Sequence, residues 1–252
     1  MTSDTRYDST RIAWEHIWQQ ADIDAELETV RSARSLETIR AYQPYLPKDE
    51  LILEAGSGLS AVVITLRRRG YNVLGLDYAV NALQASHAYD GGLPLAAGDV
   101  HKLPFADGSV GAYLSFGVLE HFEHGMGPAL SEAARVLRQH GTLVLTIPYP
   151  NAVYRLVQLK RALTGQGALN DDDFYESTYT REALEREVTQ AGFRVLISQP
   201  TSHAFTLWGL GGPFQGNGYY ETSPLAEVLG GAARQAAPWA FNFMTLIVAR
   251  KK

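Results

Sequence analysis

A glycine turn and an aspartate further along the chain can together hold a nucleoside. Gly56-Ser57-Gly58 follows an apolar stretch, and Asp77 ends the next one. Glycine lets a ligand approach the backbone because no side chain intervenes, and a carboxylate at a strand end can accept both hydrogen bonds of a ribose diol. Gly56, Gly58 and Ala61 also fit the dinucleotide fingerprint G-x-G-x-x-[GA]. The spacing therefore predicts an adenosine-containing cofactor and leaves its identity open.

Two further acids distinguish between cofactor types. Glu54 stands two residues before Gly56, where it would repel the pyrophosphate of a dinucleotide but attract a cofactor bearing an ammonium and a sulfonium. Asp99 follows a third apolar stretch, where it can accept from an adenine amino group while Val100 packs on the ring. These residues favour an aminoacyl adenosine cofactor over a dinucleotide.

The run EHFEH at residues 120–124 contains the residue types of a metal site. Zinc-binding helices use the spacings H-E-x-x-H or H-x-x-E-H, and H-x-E-H fits neither, so we expect no metal. His121 follows a fourth apolar stretch, at the edge where open α/β sheets bind ligands. Its imidazole is a candidate base for removing a hydroxyl proton. The alternative is that Glu120 and His121 only begin a helix and fix the turn.

The elements that must position these residues alternate between strand and helix. Helical spacing predicts helices over residues 9–45. The further predicted strands are 51–53, 73–76, 93–97, 110–116, 142–147, 193–197 and 241–249, and the further helices are 61–69, 81–87, 127–139, 152–164 and 180–191. Apolar strands alternating with helices are typical of a parallel sheet covered on both faces. Irregular stretches at about 150–178 and 200–237 interrupt the pattern.

Four segments carry a resemblance to a known family: LEAGSG, GLDYA, GDVHKLPFADGSVGAYLSFGVLEHF and LRQHGTLVLTIPYPN. They resemble the class I S-adenosylmethionine-dependent methyltransferases, and within them the small-molecule branch that includes quinone-biosynthesis methyltransferases. The likeness covers residues 48–150 and, less closely, 178–200. It implies an α/β fold with a Rossmann-like, doubly wound, seven-stranded sheet, mostly parallel with an antiparallel last strand. One departure is Ser60, where the family often has a third glycine.

The resemblance also implies a cofactor site for S-adenosylmethionine, which would leave as S-adenosylhomocysteine. The methionine portion would contact Glu54 and the glycine turn, the ribose Asp77, and the adenine Asp99 and Val100. The full set of expected cofactor contacts is Glu54, Gly56, Ser57, Gly58, Asp77, Tyr78, Asp99, Val100, Ser115 and Phe116.

Aromatic residues concentrate outside the predicted core, which suggests a cap. We expect an N-terminal helical cap over 1–47 and a methyltransferase core over 48–252, with cap insertions at about 150–178 and 200–237. Aromatic insertions suit an apolar or ring-shaped acceptor, and equally they can form the small core of the cap itself. The candidate substrate contacts are Trp18, Tyr149, Tyr179 and Trp208.

Composition narrows the class of partner. With 22 Lys and Arg against 27 Asp and Glu, the net charge of −5 lacks the basic excess typical of nucleic-acid enzymes. The absence of cysteine excludes disulfides, thiolate metal sites and cysteine nucleophiles. The polar N-terminus has no apolar signal core, and the apolar stretch 239–249 is too short to span a bilayer. We therefore expect a cytoplasmic protein without stable membrane insertion. The sequence does not predict its oligomeric state.

These observations predict a methyltransferase that acts on a small molecule by direct displacement at the sulfonium methyl. Transfer to oxygen is favoured because no dedicated amine-binding motif is recognisable. The alternatives are a nicotinamide-dependent oxidoreductase, which would use the same glycine turn, and a non-catalytic protein that binds S-adenosylmethionine.

Overall fold

One seven-stranded sheet organises the chain. The structure, a computed structural model, describes residues 5–163, 176–218 and 220–252. The strands are β1 (Ile52–Ala55), β2 (Val73–Asp77), β3 (Leu95–Ala97), β4 (Val110–Phe116), β5 (Leu137–Pro148), β6 (Phe193–Thr201) and β7 (Met244–Lys251). Their order in the sheet is β3-β2-β1-β4-β5-β7-β6. Parallel pairing joins β3 through β5, and β7 runs antiparallel to both β5 and β6. The predicted fold class is confirmed.

Helices cover both faces of this sheet. They are α1 (Thr5–Gln20), α2 (Ile23–Arg31), α3 (Ala33–Tyr42), α4 (Ala61–Arg68), α5 (Val80–Tyr89), α6 (Gly127–Val136), α7 (Ala152–Leu163), α8 (Arg181–Gln190), α9 (His203–Trp208) and α10 (Pro224–Ala236). Apolar side chains of α6 and α8 pack on one face, and those of α2, α3 and α4 pack on the other. The parallel strands therefore direct their carboxyl ends to one edge, where the polar residues singled out above lie.

Residues 200–237 are not irregular as expected, because they contain α9 and α10. Ser223 caps α10 by accepting the N–H of Ala226 at 3.2 Å, and Pro224 occupies its first turn. Gly230 lies inside α10, where an added Cβ would stand 2.5 Å from the backbone nitrogen of Ala204 in α9. Gly230 therefore permits close packing of α9 and α10, although glycine inside a helix is usually destabilising.

The boundary between α6 and β5 also differs from the prediction. The helix was expected to run to residue 139, but it ends at Val136 and Leu137 already pairs with Val110 of β4. His140 has a φ of +60°, the left-handed region, within the long strand β5. Part of the first expected insertion, residues 164–175, lies outside the described residues. In the described part of the chain, no helix is long and apolar enough to cross a membrane.

Candidate active site

The turn after β1 is held against the end of β2 by its own backbone. The N–H groups of Gly56 and Ser57 both donate to the carbonyl oxygen of Leu76, at 2.8 and 3.0 Å. Gly56 and Gly58 have φ values of +81° and +49°, in the region that favours glycine. Ser60 shares that region with a φ of +60°, which gives a physical reason for the third glycine that the resembling family often has there.

Asp77 ends β2 beside this turn and is buried. Its carboxylate accepts the N–H of Gly58 at 2.7 Å and the N–H of Ala79 at 2.8 Å. Burial raises the pKa of Asp77, and these backbone hydrogen bonds oppose the shift. A carboxylate offers about four lone-pair sites, and a third backbone hydrogen bond comes from Tyr78, so acceptor capacity remains for about one ribose hydroxyl.

Glu54 lies at the end of β1 and is buried as well. One of its oxygens accepts the N–H of Val63, in α4, at 3.1 Å. Desolvation raises the pKa of this carboxyl to about 8, opposed by that hydrogen bond and assisted by the nearby charge of Asp77. A cationic group placed beside Glu54 would favour its ionised form, so the residue fits a ligand that carries an ammonium.

A cavity of about 210 Å³ brings most of the expected cofactor residues together. We call it the cofactor cavity. Nine of the ten line it: Glu54, Gly56, Ser57, Gly58, Asp77, Tyr78, Asp99, Val100 and Phe116. The carboxylate of Asp99 also accepts the backbone N–H of His101 at 2.8 Å. The tenth, Ser115, is buried in β4 and lines neither this cavity nor the second one described below.

Two tryptophans of α1 cover this cavity. A Cβ atom added to Gly58 would stand 2.5 Å from Cζ2 of Trp18, so the indole takes up the close approach that the glycine permits. Trp14 stacks on Trp18 with ring centroids 5.3 Å apart, and it meets the His121 ring edge-on at the same distance. Asn81 of α5 donates a hydrogen bond to the carbonyl oxygen of Glu15 in α1, at 2.6 Å, so α1 is held against α5.

A second cavity, of about 630 Å³, adjoins the first. We call it the acceptor cavity. Trp18 and His121 line both cavities, and Trp208 lines the acceptor cavity. Tyr149 and Tyr179 line neither: Tyr149 packs against Trp239 with ring centroids 5.6 Å apart, and Tyr179 packs on the sheet core. Two of the four candidate substrate residues are thus brought together.

The acceptor cavity contains charged residues that the sequence did not reveal. Glu26 and Arg34 come from α2 and α3, Glu176 precedes α8, and Glu120 lies in the turn after β4. No spacing in the sequence links these residues, because they lie on separate elements. Glu120 is the exception, because it stands beside His121 in the sequence, but only a role in fixing the turn was expected of it.

His121 ends a short 3₁₀ turn, Leu119–His121, at the carboxyl edge of β4. It is 7% exposed and stands where the two cavities meet. Glu123 and His124 are exposed. Among the residues that the structure describes, no group of three or more His, Asp or Glu side chains is arranged to hold a metal ion.

Comparison with known proteins gives matches of sequence over the same region. The family model described as a methyltransferase domain matches residues 53–145. A demethylmenaquinone methyltransferase from Mycolicibacterium vanbaalenii is 37% identical over 100 residues, which cover 39% of this chain and 42% of that protein. A putative methyltransferase from Encephalitozoon cuniculi is 29% identical over 171 residues, which cover 63% of this chain and 77% of that protein. The chain spans less than half the length of the first of these relatives.

Solved structures share the fold. A chain in the complex between the Haloferax volcanii Trm112 methyltransferase activator and the putative methyltransferase aligns with a TM-score of 0.61 and 18% identity. The alignment covers 94% of this chain and 96% of that one. At this identity the likeness concerns the fold alone. Together with the matches of sequence, it confirms the predicted likeness to S-adenosylmethionine-dependent methyltransferases.

Proposed function

We propose that the protein, whose residues 53–145 match a methyltransferase domain, transfers a methyl group from S-adenosylmethionine to a small-molecule acceptor. One observation carries the proposal. The cofactor cavity, with its buried acids Glu54 and Asp77, adjoins a cavity three times its size through Trp18 and His121. A cofactor and an acceptor can therefore meet at that junction.

The residues around the cofactor cavity fit the expected group. In the proposal Glu54 holds the ammonium, Asp77 the ribose hydroxyls, and Asp99 with Val100 the adenine. S-adenosylmethionine, when bound, supplies a methyl group already activated by its positively charged sulfur. The protein's contribution is to hold the acceptor in line with that methyl group and to exclude water. The covering indoles of Trp14 and Trp18 suit the second task.

We propose oxygen as the accepting atom and His121 as the base. His121 takes the hydroxyl proton on an imidazole nitrogen while the oxygen–carbon bond forms and the carbon–sulfur bond breaks, its electron pair remaining on sulfur. The support is positional, since His121 lines both cavities. General base catalysis of this kind contributes about 10²- to 10⁴-fold.

The proposal divides the chain by role. Residues 1–47 form an N-terminal helical cap, which also covers the cofactor cavity through Trp14 and Trp18, and residues 48–252 form the methyltransferase core, with cap insertions at about 150–178 and 200–237. It places the reaction in the cytoplasm and involves no nucleic acid, in line with the net charge of −5.

Thermal unfolding with each cofactor tests the class of ligand. S-adenosylmethionine and S-adenosylhomocysteine at 100 times their dissociation constants should stabilise the protein by about 2.7 kcal/mol, while NAD and NADH leave it unchanged. A response to the nicotinamide cofactors alone would overturn the proposal in favour of an oxidoreductase.

A further inference from the structure

A buried carboxyl in the acceptor cavity has unused bonding capacity. Glu120 is 1% exposed, and its Oε2 has no hydrogen-bond partner among the residues that the structure describes. The backbone around it is fixed, because its carbonyl oxygen accepts from the N–H and the hydroxyl of Ser177 at 2.9 and 3.0 Å. The other part of the carboxyl has a hydrogen bond from the residue's own backbone, but a buried oxygen left without a partner costs free energy. Its position on a cavity wall indicates that a ligand completes its bonding.

A second acid, Glu176, acts on Glu120 electrostatically. Burial raises the pKa of Glu120 well above its ordinary value, and the approach of Glu176 raises it further. Glu176 is partly buried, and burial raises its pKa too. Arg34 lines the same cavity, but the carboxylates that act on it are those of Glu227 and Glu26. A positive charge at the Glu120 end would lower the pKa of both acids there.

One part of the cavity wall is aromatic. Phe205 and Trp208 stack with ring centroids 4.7 Å apart, and Tyr220 and Phe243 meet the Phe205 ring at 5.9 and 4.9 Å. The guanidinium of Arg34 lies over Phe205, 4.1 Å from its centroid. Aromatic faces attract cations, and this cluster already holds one. Buried acids and aromatic rings in one cavity form a chemical environment for a cation with an apolar body.

We propose that the methyl acceptor carries a cationic nitrogen, which is held by Glu120 and Glu176 while the atom that receives the methyl group faces His121. This inference rests on the proposed function. Glu120 lines only the acceptor cavity, whereas the adjacent His121 lines both cavities. The nitrogen is thus an anchor set back from the cofactor, distinct from the accepting hydroxyl. The substrate class that fits is a small aromatic amine bearing a hydroxyl group.

Two probes that differ mainly in charge test the inference. Tyramine carries a phenolic hydroxyl and an amine that is protonated at neutral pH, and 4-propylphenol is its neutral counterpart of similar size. Each is titrated by calorimetry at pH 7 into the full chain saturated with S-adenosylhomocysteine. Tyramine should bind more tightly by about tenfold or more, the scale of a hydrogen bond to a charged group. Equal affinities would overturn the inference.

The variant Glu120→Gln keeps the shape of the side chain and removes its charge. It should abolish the preference for tyramine and leave the affinity for 4-propylphenol within about twofold. Glu123→Gln is the matched control, since it makes the same change three residues away at an exposed position, and it should keep the preference. If Glu120→Gln unfolds, Glu176→Gln replaces it with the same expectation. A preference for tyramine that survives at full size in either folded variant would contradict the inference.

Failure of this inference is distinguishable from failure of the proposed function. Binding of S-adenosylhomocysteine is measured first, in the absence of either probe. If it binds and the probes do not differ, only the cationic anchor is wrong. If it does not bind while tyramine is still preferred, the anchor stands and the methyltransferase proposal is wrong.

Discussion

The clearest consequence of the cofactor site is that binding an ammonium at Glu54 must release a proton. Burial raises the pKa of Glu54 to about 8, so about nine-tenths of the molecules carry the protonated acid at pH 7. A ligand ammonium beside it favours the carboxylate. S-adenosylhomocysteine should therefore release up to about 0.9 proton at pH 7 as Glu54 ionises. The variant Glu54→Gln cannot ionise and should release none from this position.

Calorimetry in buffers of different ionisation enthalpy measures this release directly. The matched ligand is 5′-methylthioadenosine, which keeps the adenosine and lacks the amino acid portion. Its binding should not release a proton from Glu54. Asp90→Asn is the control variant, since Asp90 is exposed and accepts the N–H of Gly92 at 2.9 Å far along the chain from Glu54. Equal proton release by the wild type and Glu54→Gln would refute the placement of the ammonium.

The same pKa gives a prediction for the stability of the ligand-free protein. A carboxyl whose folded pKa is raised contributes stability below its unfolded pKa, and that contribution is lost as the pH rises through the folded value, here about 8. Between about pH 5 and 8, Glu54 should lower the free energy of unfolding by about 1.4 kcal/mol per pH unit. Other buried acids, Asp77 among them, also have raised pKa values, so Glu54→Gln should reduce the total slope in denaturant titrations by this amount. An unchanged slope would mean that Glu54 is ionised in the folded protein.

Three further changes test other parts of the site. Asp77→Asn should weaken S-adenosylhomocysteine binding by about 1–3 kcal/mol, measured by calorimetry on the folded variant; unaltered affinity would exclude the ribose contact. His121→Ala should lower kcat by about 10²-fold or more while cofactor affinity stays near that of the wild type, and near-normal turnover would show that the residue only fixes the turn. Trp18→Ala removes the ring that covers Gly58, so stopped-flow association of S-adenosylhomocysteine should become several times faster; a rate equal to that of the wild type would show that the indole does not obstruct access.

The cofactor side of the site was predictable because a parallel sheet gathers the ends of its strands at one edge. Glu54 and Asp77 lie at the ends of β1 and β2, and Asp99 follows β3. These three strands are neighbours in the sheet, so the three residues lie close together although they are far apart in the sequence. Ser115 directly precedes the cavity-lining Phe116 in β4, so strand alternation places the two on opposite faces of the sheet, and Ser115 is buried without lining the cavity.

The acceptor side could not be predicted in the same way. Glu26, Arg34 and Glu176 reach the acceptor cavity from separate helices and a connecting segment, whose docking depends on side-chain packing. The stretch 200–237 was expected to be irregular, yet it contains α10, whose Gly230 serves the contact with Ala204. Hydrophobic periodicity and residue spacing predict single helices and strands, so they do not predict the contacts between the helices around the cavity.

The central claim is methyl transfer to a small molecule, and one incubation tests it most directly. The full chain is mixed with methyl-labelled S-adenosylmethionine and fractionated cell extract, and the label is followed by mass. The account predicts label in a low-mass fraction, with an equal amount of S-adenosylhomocysteine formed, and its loss with His121→Ala. Label that stays on the bound cofactor in every fraction, or that appears only in protein or nucleic acid, would contradict it.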